Sequence, residues 1–527
     1  MLSFFKPYRN YIMMKRILPI LFTCFTGYTF AQTPEDAIRY SWQSHSGSAR
    51  IMAVGGVMGS LGGDITAPFV NPAGLGLFKT REFTFSPGFL INNNNATYRD
   101  SLSNYRKNAL TLGPTGVIIG LPDVSKNQRS SALSIAVNQC ANFNNHIRYS
   151  ALNNYSSFSE QFAEELAKSN QSINSVLSSN SSMPYTVAPA LYTYLIDTVT
   201  VNGVVQIKAA PEYLLDSGKS VMQTMDKQTR GAMYEWGFSL ATNIKEKWLF
   251  GGTLVIPSLR YDSKTTFSET DPSGDTANRF GSFTYTDHYT TTGSGLGLKL
   301  GTIYRPKEYI RFGFAFHNPT LMMLTETREA SMTTVLENPQ KSFSASSNLF
   351  TNGQPGEYKY AYTTPWKAMI SASYVFREID NVHRQRAFIS ADVEYVRHSA
   401  SRYRSANEEP TSAEESYYKA LNAVIKDNYK GTFNFRVGGE LKFSVIMFRG
   451  GFAYYSNPYK DPEFKASRML LSGGLGYRNH GFFIDLTYVH QMKKDVDLPY
   501  RLSDRANTFS SLQQRQGNIM ATFGIKF

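Results

Sequence analysis

The chain has 527 residues, enough for one large domain or several smaller ones. It holds 33 Tyr and 36 Phe, yet no apolar run of 18 or more residues follows the first 31, which argues against a helical membrane protein. The net charge of +13 is spread without Lys/Arg blocks, which speaks against a nucleic-acid partner and suits phosphate-bearing lipid headgroups.

Residues 1–31 read as an export signal. Lys15-Arg16 form a basic start, a short apolar core follows, and Thr29-Phe30-Ala31 supplies small residues for cleavage before Gln32. Met13 or Met14 is an alternative start. Leu21-Phe22-Thr23-Cys24 faintly resembles a lipoprotein box, but Ala31 is the better site. Removing the signal takes Cys24 with it and leaves Cys140 alone, so neither an internal disulfide nor a Cys-based metal site is expected. It also removes four basic residues, leaving about +9 (13 − 4).

Residues 32–80 come next, and their core, Gly47–Leu77, is rich in glycine and almost free of charge. It is too glycine-rich for a stable helix and too irregular for a strand. We expect it to form a plug, or hatch, inside a barrel built by residues 81–527. Ile51, Met52, Val57, Met58, Leu61 and Phe69 are candidates to line an apolar pocket, Met being suited to variable ligands. Gly55 and Gly56 give a flexible backbone, Pro72 fixes a turn, and Asn71 can bond neighbouring backbone groups.

From Arg81 onward apolar and polar residues alternate with a period of two. Ile310, Phe312, Phe314 and Phe316 alternate with Arg311, Gly313, Ala315 and His317; Phe433, Phe435 and Val437 alternate with Asn434 and Arg436. A dense aromatic face opposite a face of charge and glycine fits a transmembrane barrel, apolar outside and polar inside, better than a soluble sandwich. Fourteen strands are predicted: 81–92, 108–121, 129–143, 231–243, 247–262, 291–304, 308–320, 363–377, 385–400, 430–443, 446–457, 466–478, 481–492 and 512–527. The fold class is therefore all-β, a fourteen-stranded antiparallel transmembrane barrel with an N-terminal hatch. Short turns, as at Pro122-Asp123, Ile244-Lys245 and Arg377–Arg384, alternate with long links such as 144–230, 263–290, 321–362 and 401–429. Short periplasmic turns, long extracellular loops and an even strand count place both termini in the periplasm of a Gram-negative cell. Ile519, Ala521, Phe523, Ile525 and Phe527 alternate to the last residue and resemble the signal read by the barrel assembly machinery. Within the long loops, 157–177 and 413–429 carry helical periodicity and read as amphipathic helices, either closing the barrel mouth or docking a greasy ligand.

No nucleophile elbow, zincin motif, P-loop or C-x-x-C pair is present. The eight His are scattered, and no cofactor or metal is expected. Gly293, Gly295, Gly297 and Gly301 alternate within a strand and read as small lumenal residues rather than a dinucleotide loop. Asp392 and Glu394 point into the lumen, where two carboxylates would serve acid–base chemistry, pair with lumenal Arg and Lys, or hold the plug.

Ser48-Ala49-Arg50, Gly55-Gly56, Asp64 and Asn71-Pro72-Ala73-Gly74-Leu75 together resemble the N-terminal region of the FadL/TodX outer-membrane transport family. The likeness covers about 30 residues by motif and the rest of the chain in outline; loop 144–230 has no counterpart. It implies a barrel that passively takes up long-chain fatty acids or aromatic hydrocarbons, with Asn71, Pro72, Ala73, Gly74, Gly55 and Gly56 in a hatch that gates the pocket and lateral release into the bilayer. The implied partners are a hydrophobic small molecule, outer-membrane lipids and lipopolysaccharide. The alternative is a non-transport accessory barrel of a secretion complex, and a lipid-modifying enzyme using Asp392 or Glu394 is a more distant third.

Overall fold

The computed structural model describes residues 34–527 apart from 42–45, 123–128, 202, 277, 338–339, 377–385, 463 and 465. The export signal, Gln32, Asp123 and the turn at 377–385 lie outside the described residues. Apart from a separate hairpin at Ile196–Val201 and Val204–Ala209, the strands form one antiparallel sheet that closes on itself through Phe83↔Ile525 and Phe89↔Ile519.

Fourteen barrel strands run in sequence order. They are β1 (Arg81–Phe85 continued by Pro87–Tyr98), β2 (Ser101–Leu112 and Thr115–Leu121), β3 (Arg129–Asn142 and Asn145–Asn153), β4 (Val221–Ile244), β5 (Trp248–Thr270), β6 (Phe280–Lys307) and β7 (Ile310–His317 and Leu321–Leu336). The series continues with β8 (Gly356–Thr363 and Lys367–Phe376), β9 (Ala387–Arg397 and Arg402–Ser405), β10 (Gly431–Phe443), β11 (Ile446–Tyr455), β12 (Arg468–Asn479), β13 (Phe482–Asp497) and β14 (Ser510–Lys526). All fourteen expected strands are present. Prolines break β2, β7 and β8 at Pro114, Pro319 and Pro365, where the missing N–H interrupts the ladder.

The outward face is apolar in a continuous band. On β5 it runs from Trp248 through Phe250 and Leu254 to Ile256, and on β10 from Phe433 to Phe443. These stretches match the roughly 9–11 residues that a tilted strand needs to cross the hydrocarbon layer. No helix among the described residues is long and apolar enough to cross a membrane.

Several strands outrun this band. β4, β5 and β6 have 24, 23 and 28 residues, so links expected at 263–290 and 321–362 are largely strand. Outward Thr and Ser alternate there with inward Phe267, Phe283 and Tyr285, a polar-out pattern suited to a sheet standing in water. Inside it sits a buried roof. Helix α4, Glu160–Ser169, packs Phe162 and Leu166 beneath the loops, and Phe158 stacks on Phe267 with ring centroids 4.2 Å apart. Expected helix 413–429 is present as Ser412–Asn428, labelled α5 below, started by a Thr411/Glu414 capping box.

Two carboxylates in this roof are held up in pKa. Burial pushes Glu160 to about 7, against the pull of the Ser157 N–H and Arg505. Burial also pushes Glu269 to about 7, although Ser157 Oγ, Phe158 N and Gln223 Nε2 donate to it at 2.5–2.7 Å. Such groups hold more protons folded than unfolded between the ordinary value near 4.5 and about 7, so ionising them costs stability. Their contribution to loop stability is full below pH 4.5 and is lost as pH rises through 7. Amide exchange in 157–169 is therefore expected to be slower at pH 5.5 than at pH 8 after correction for the intrinsic rate. Equal protection at both values would contradict this.

Candidate functional site

The N-terminal segment fills the barrel. Helix α1, Pro34–Ser41, lies highest, where Tyr362 donates to Ala37 O at 2.7 Å and Arg39 stacks over Tyr261 at 4.6 Å. Below it come α2 (Ala49–Ala53), α3 (Ala67–Val70) and a 3-10 turn at Pro72–Leu77. Together these lower elements touch strands around the barrel wall, from β3 through β6 to β11–β14.

Wall and plug meet backbone to backbone because the wall supplies glycine where they cross. A Cβ on Gly438 would fall 2.0 Å from Val54 O, and one on Gly451, its direct partner across the ladder, 2.1 Å from Gly55 N. Gly313 meets Gly59 and Gly251 meets Pro72 in the same way. Gly301 meets Asn71, so this member of the alternating glycine run faces the lumen for a packing reason. Within the plug, Gly55 and Gly56 have φ of +72° and +79°, a turn that L side chains resist.

Polar side chains on the wall capture the plug's backbone. The Asp392 carboxylate accepts from Met58 N at 2.9 Å and Gly59 N at 3.1 Å, and Arg311 donates to Leu61 O at 2.6 Å. Lys299 donates to Phe69 O, His317 to Val70 O, and Ser472 to Ala53 O. Asn71 caps the 3-10 turn by accepting from Ala73 N, while its amide donates to Gly59 O, Thr302 O and Phe314 O. Arg50 reaches Glu440, which also accepts from the fully buried Arg449 at 2.6 Å; Arg449 binds Asp485 at 2.5 Å. At about 1 kcal/mol net each, these bonds tie residues 49–71 to the wall.

Ile51, Met52, Val57, Met58 and Leu61 are buried between plug and wall, each at most 2% exposed. Phe69 borders an open cavity of about 80 Å³ between α1 and the plug. Gly56, Val70, Ser41 and Ser46 contribute to its boundary, and most of the rest comes from strands, among them Asn138, Cys140, Glu235, Lys299, His317, Lys367, Glu394, Arg436 and Tyr455. Lys299 pairs with Glu235 at 2.6 Å and Arg436 with Glu394 at 2.9 Å. The expected lumenal carboxylates thus have separate duties: Asp392 holds the plug, and Glu394 faces the cavity beside Arg436. These lining residues are scattered over eight strands, which is why sequence inspection missed most of them. At about 80 Å³ the space has room for several waters or a small polar headgroup, since one water needs about 10–15 Å³ of such space.

The cavity reaches a weak seam in the wall. The lower half of β2, Thr115–Leu121, pairs with β3, whereas its upper half, Ser101–Leu112, pairs only with β1 among the described residues. Side chains bridge the gap. Gln139 accepts from Leu112 N, Asn142 donates to Leu110 O, and Asn92 and Asn94 donate to the backbone of Asn144 and His146. β3 carries a register shift between Gln139 and Ala141, beside the cavity-lining Asn138 and Cys140. Leu110, 79% exposed, marks the outer rim of the seam in the lipid-facing band.

These features define a class: a fourteen-stranded barrel with an apolar outer band, a lumen filled by its own N-terminal segment, and one broken ladder. The fold is shared with a FadL homologue from Pseudomonas aeruginosa, at TM-score 0.52 and 12% identity over 92% of this chain and all of that one. The toluene transporters TbuX of Ralstonia pickettii (TM-score 0.46, 15% identity) and TodX of P. putida (TM-score 0.47, 12% identity) align over 92% of this chain and 99% of theirs. No family model and no curated protein matches the sequence.

Proposed function

We propose that the protein is an outer-membrane channel for passive uptake of hydrophobic compounds, with long-chain acids preferred over plain hydrocarbons. The observation that carries this reading is the cavity that joins a cationic lining to a broken ladder. Lys299, Lys367 and Arg436 outnumber Glu235 and Glu394 along it, so an anionic headgroup is favoured. The seam beside Asn138 and Cys140 gives an apolar tail a sideways path to the bilayer, through bridges of side chains rather than a backbone ladder.

In this reading residues 32–80 are the hatch and 81–527 the barrel. Ligand meets the roofed loops, passes α1, rests its headgroup at Lys367 and Arg436, and leaves past Leu110. Asn71, Pro72, Ala73, Gly74, Gly55 and Gly56 hold the floor, and Phe69 supplies its apolar contact. The part that gives way is α1, whose ties to the wall run through Tyr362, Arg39 and Tyr40, while residues 49–71 are held by the denser set of bonds described above.

Native mass spectrometry of the detergent-extracted protein tests this. Long-chain acids are expected to copurify, and their loss on mild alkaline washing should leave the barrel folded. A preparation from lipid-rich cells that carries no acyl ligand would overturn the preference.

A further inference from the structure

We infer that the outer face of β8 and β9 binds the phosphorylated headgroup of a surrounding outer-leaflet glycolipid. An aromatic cluster marks the membrane boundary there. Trp366 lies 5.4 Å from Tyr395, which lies 5.0 Å from the exposed Phe433. Immediately beyond it stand Arg397, Arg402 and Arg404, all exposed and on the same side of the sheet. Arg397 N bonds Trp366 O and the residue sits opposite Gly431; Arg402 sits opposite Thr363 and Arg404 opposite Ala361.

Among the described residues these arginines have no ion pair. The nearby Glu357 is taken by Lys359 at 3.0 Å, and Glu408 and Glu409 lie beyond the strand end without contacting them. All three guanidinium groups are carried by β9, with Arg397 level with Trp366 and Arg402 and Arg404 opposite Thr363 and Ala361, about 10 and 17 Å further along the strand, so they span the depth of sugar-linked phosphates. An aqueous loop would gain nothing from unpaired arginines at that depth. Anionic lipid gives them partners, and arginine's planar fork suits phosphate bidentately.

This inference rests on the outer-membrane setting proposed above, but not on transport. The test uses the detergent-solubilised full chain titrated with diphosphoryl lipid A, monophosphoryl lipid A or inorganic phosphate, read by native mass spectrometry. The wild type is expected to retain diphosphoryl lipid A best, monophosphoryl lipid A less, and phosphate not at all. The Arg397→Gln/Arg402→Gln/Arg404→Gln variant should lose about tenfold in diphosphoryl lipid retention, while Lys245→Gln/Lys247→Gln at the other end of the barrel should not change it. Equal retention by the triple variant, an equal loss in the control, binding of free phosphate alone, or a dimer that the triple variant abolishes would each overturn the assignment. Long-chain acid uptake by the triple variant separates the two readings, because a normal rate with lost lipid retention leaves the transport proposal intact.

Discussion

Placing alanine at both Gly438 and Gly451 is expected to open the lumen. These two glycines face each other across the β10–β11 ladder, and the plug's Val54–Gly55 turn lies against both. Each new methyl would sit about 2 Å from plug backbone, which no rotamer relieves. Overpacking of this kind costs about 1–3 kcal/mol per site, and more where backbone opposes backbone. The turn itself cannot shift inward cheaply, since Gly55 and Gly56 already use positive φ. The plug therefore lifts from the wall between Ala53 and Met58, breaking the bonds to Ser472 and Asp392. Conductance in planar bilayers should rise several-fold, and cells should become sensitive to hydrophilic antibiotics. Heat-modifiable gel mobility reports whether the barrel has folded. A folded double variant with wild-type conductance would mean that the plug does not seal the pore.

Replacing Lys367 by glutamine should change selectivity rather than sealing. Lys367 borders the cavity, whereas Asp392, Arg311 and Asn71 hold the plug. A charge-assisted hydrogen bond to a carboxylate is worth about 1.5–3 kcal/mol, or roughly tenfold or more in binding. Uptake of labelled oleate at limiting concentration is expected to fall about tenfold, with toluene entry unaffected. An equal fall for both ligands would mean that the residue acts through the fold and not through a headgroup. Lys299 is a poorer choice, because its removal strands Glu235 in a buried site.

The barrel was legible in the sequence because lipid imposes a strict period of two. Phe312 and Phe314 outside and Arg311 and Gly313 inside leave little choice of register. The glycines of Gly47–Leu77 set that segment apart from the strands in the sequence, and Asn71 stood out through its place before Pro72. What the apolar plug residues do was not legible: Met58 buried against a wall and Phe69 beside a cavity have the same letters and spacing around them. The extended strands were missed because Thr-rich polar alternation outside the membrane reads as loop. The seam was hidden for a different reason. A broken ladder is a property of two strands, and the only local hints were Pro114 and the run Asn92–Asn95. The cavity lining is likewise a product of closure, which brings Asn138, Lys299, Lys367 and Arg436 together from distant parts of the chain.

The most direct test of the account is uptake of radiolabelled oleate by cells lacking the gene and by the same cells complemented with it. Gene-dependent accumulation at limiting oleate is expected, restored by the wild type and reduced about tenfold with Lys367→Gln. Identical accumulation with and without the gene, for oleate and for toluene alike, would contradict it.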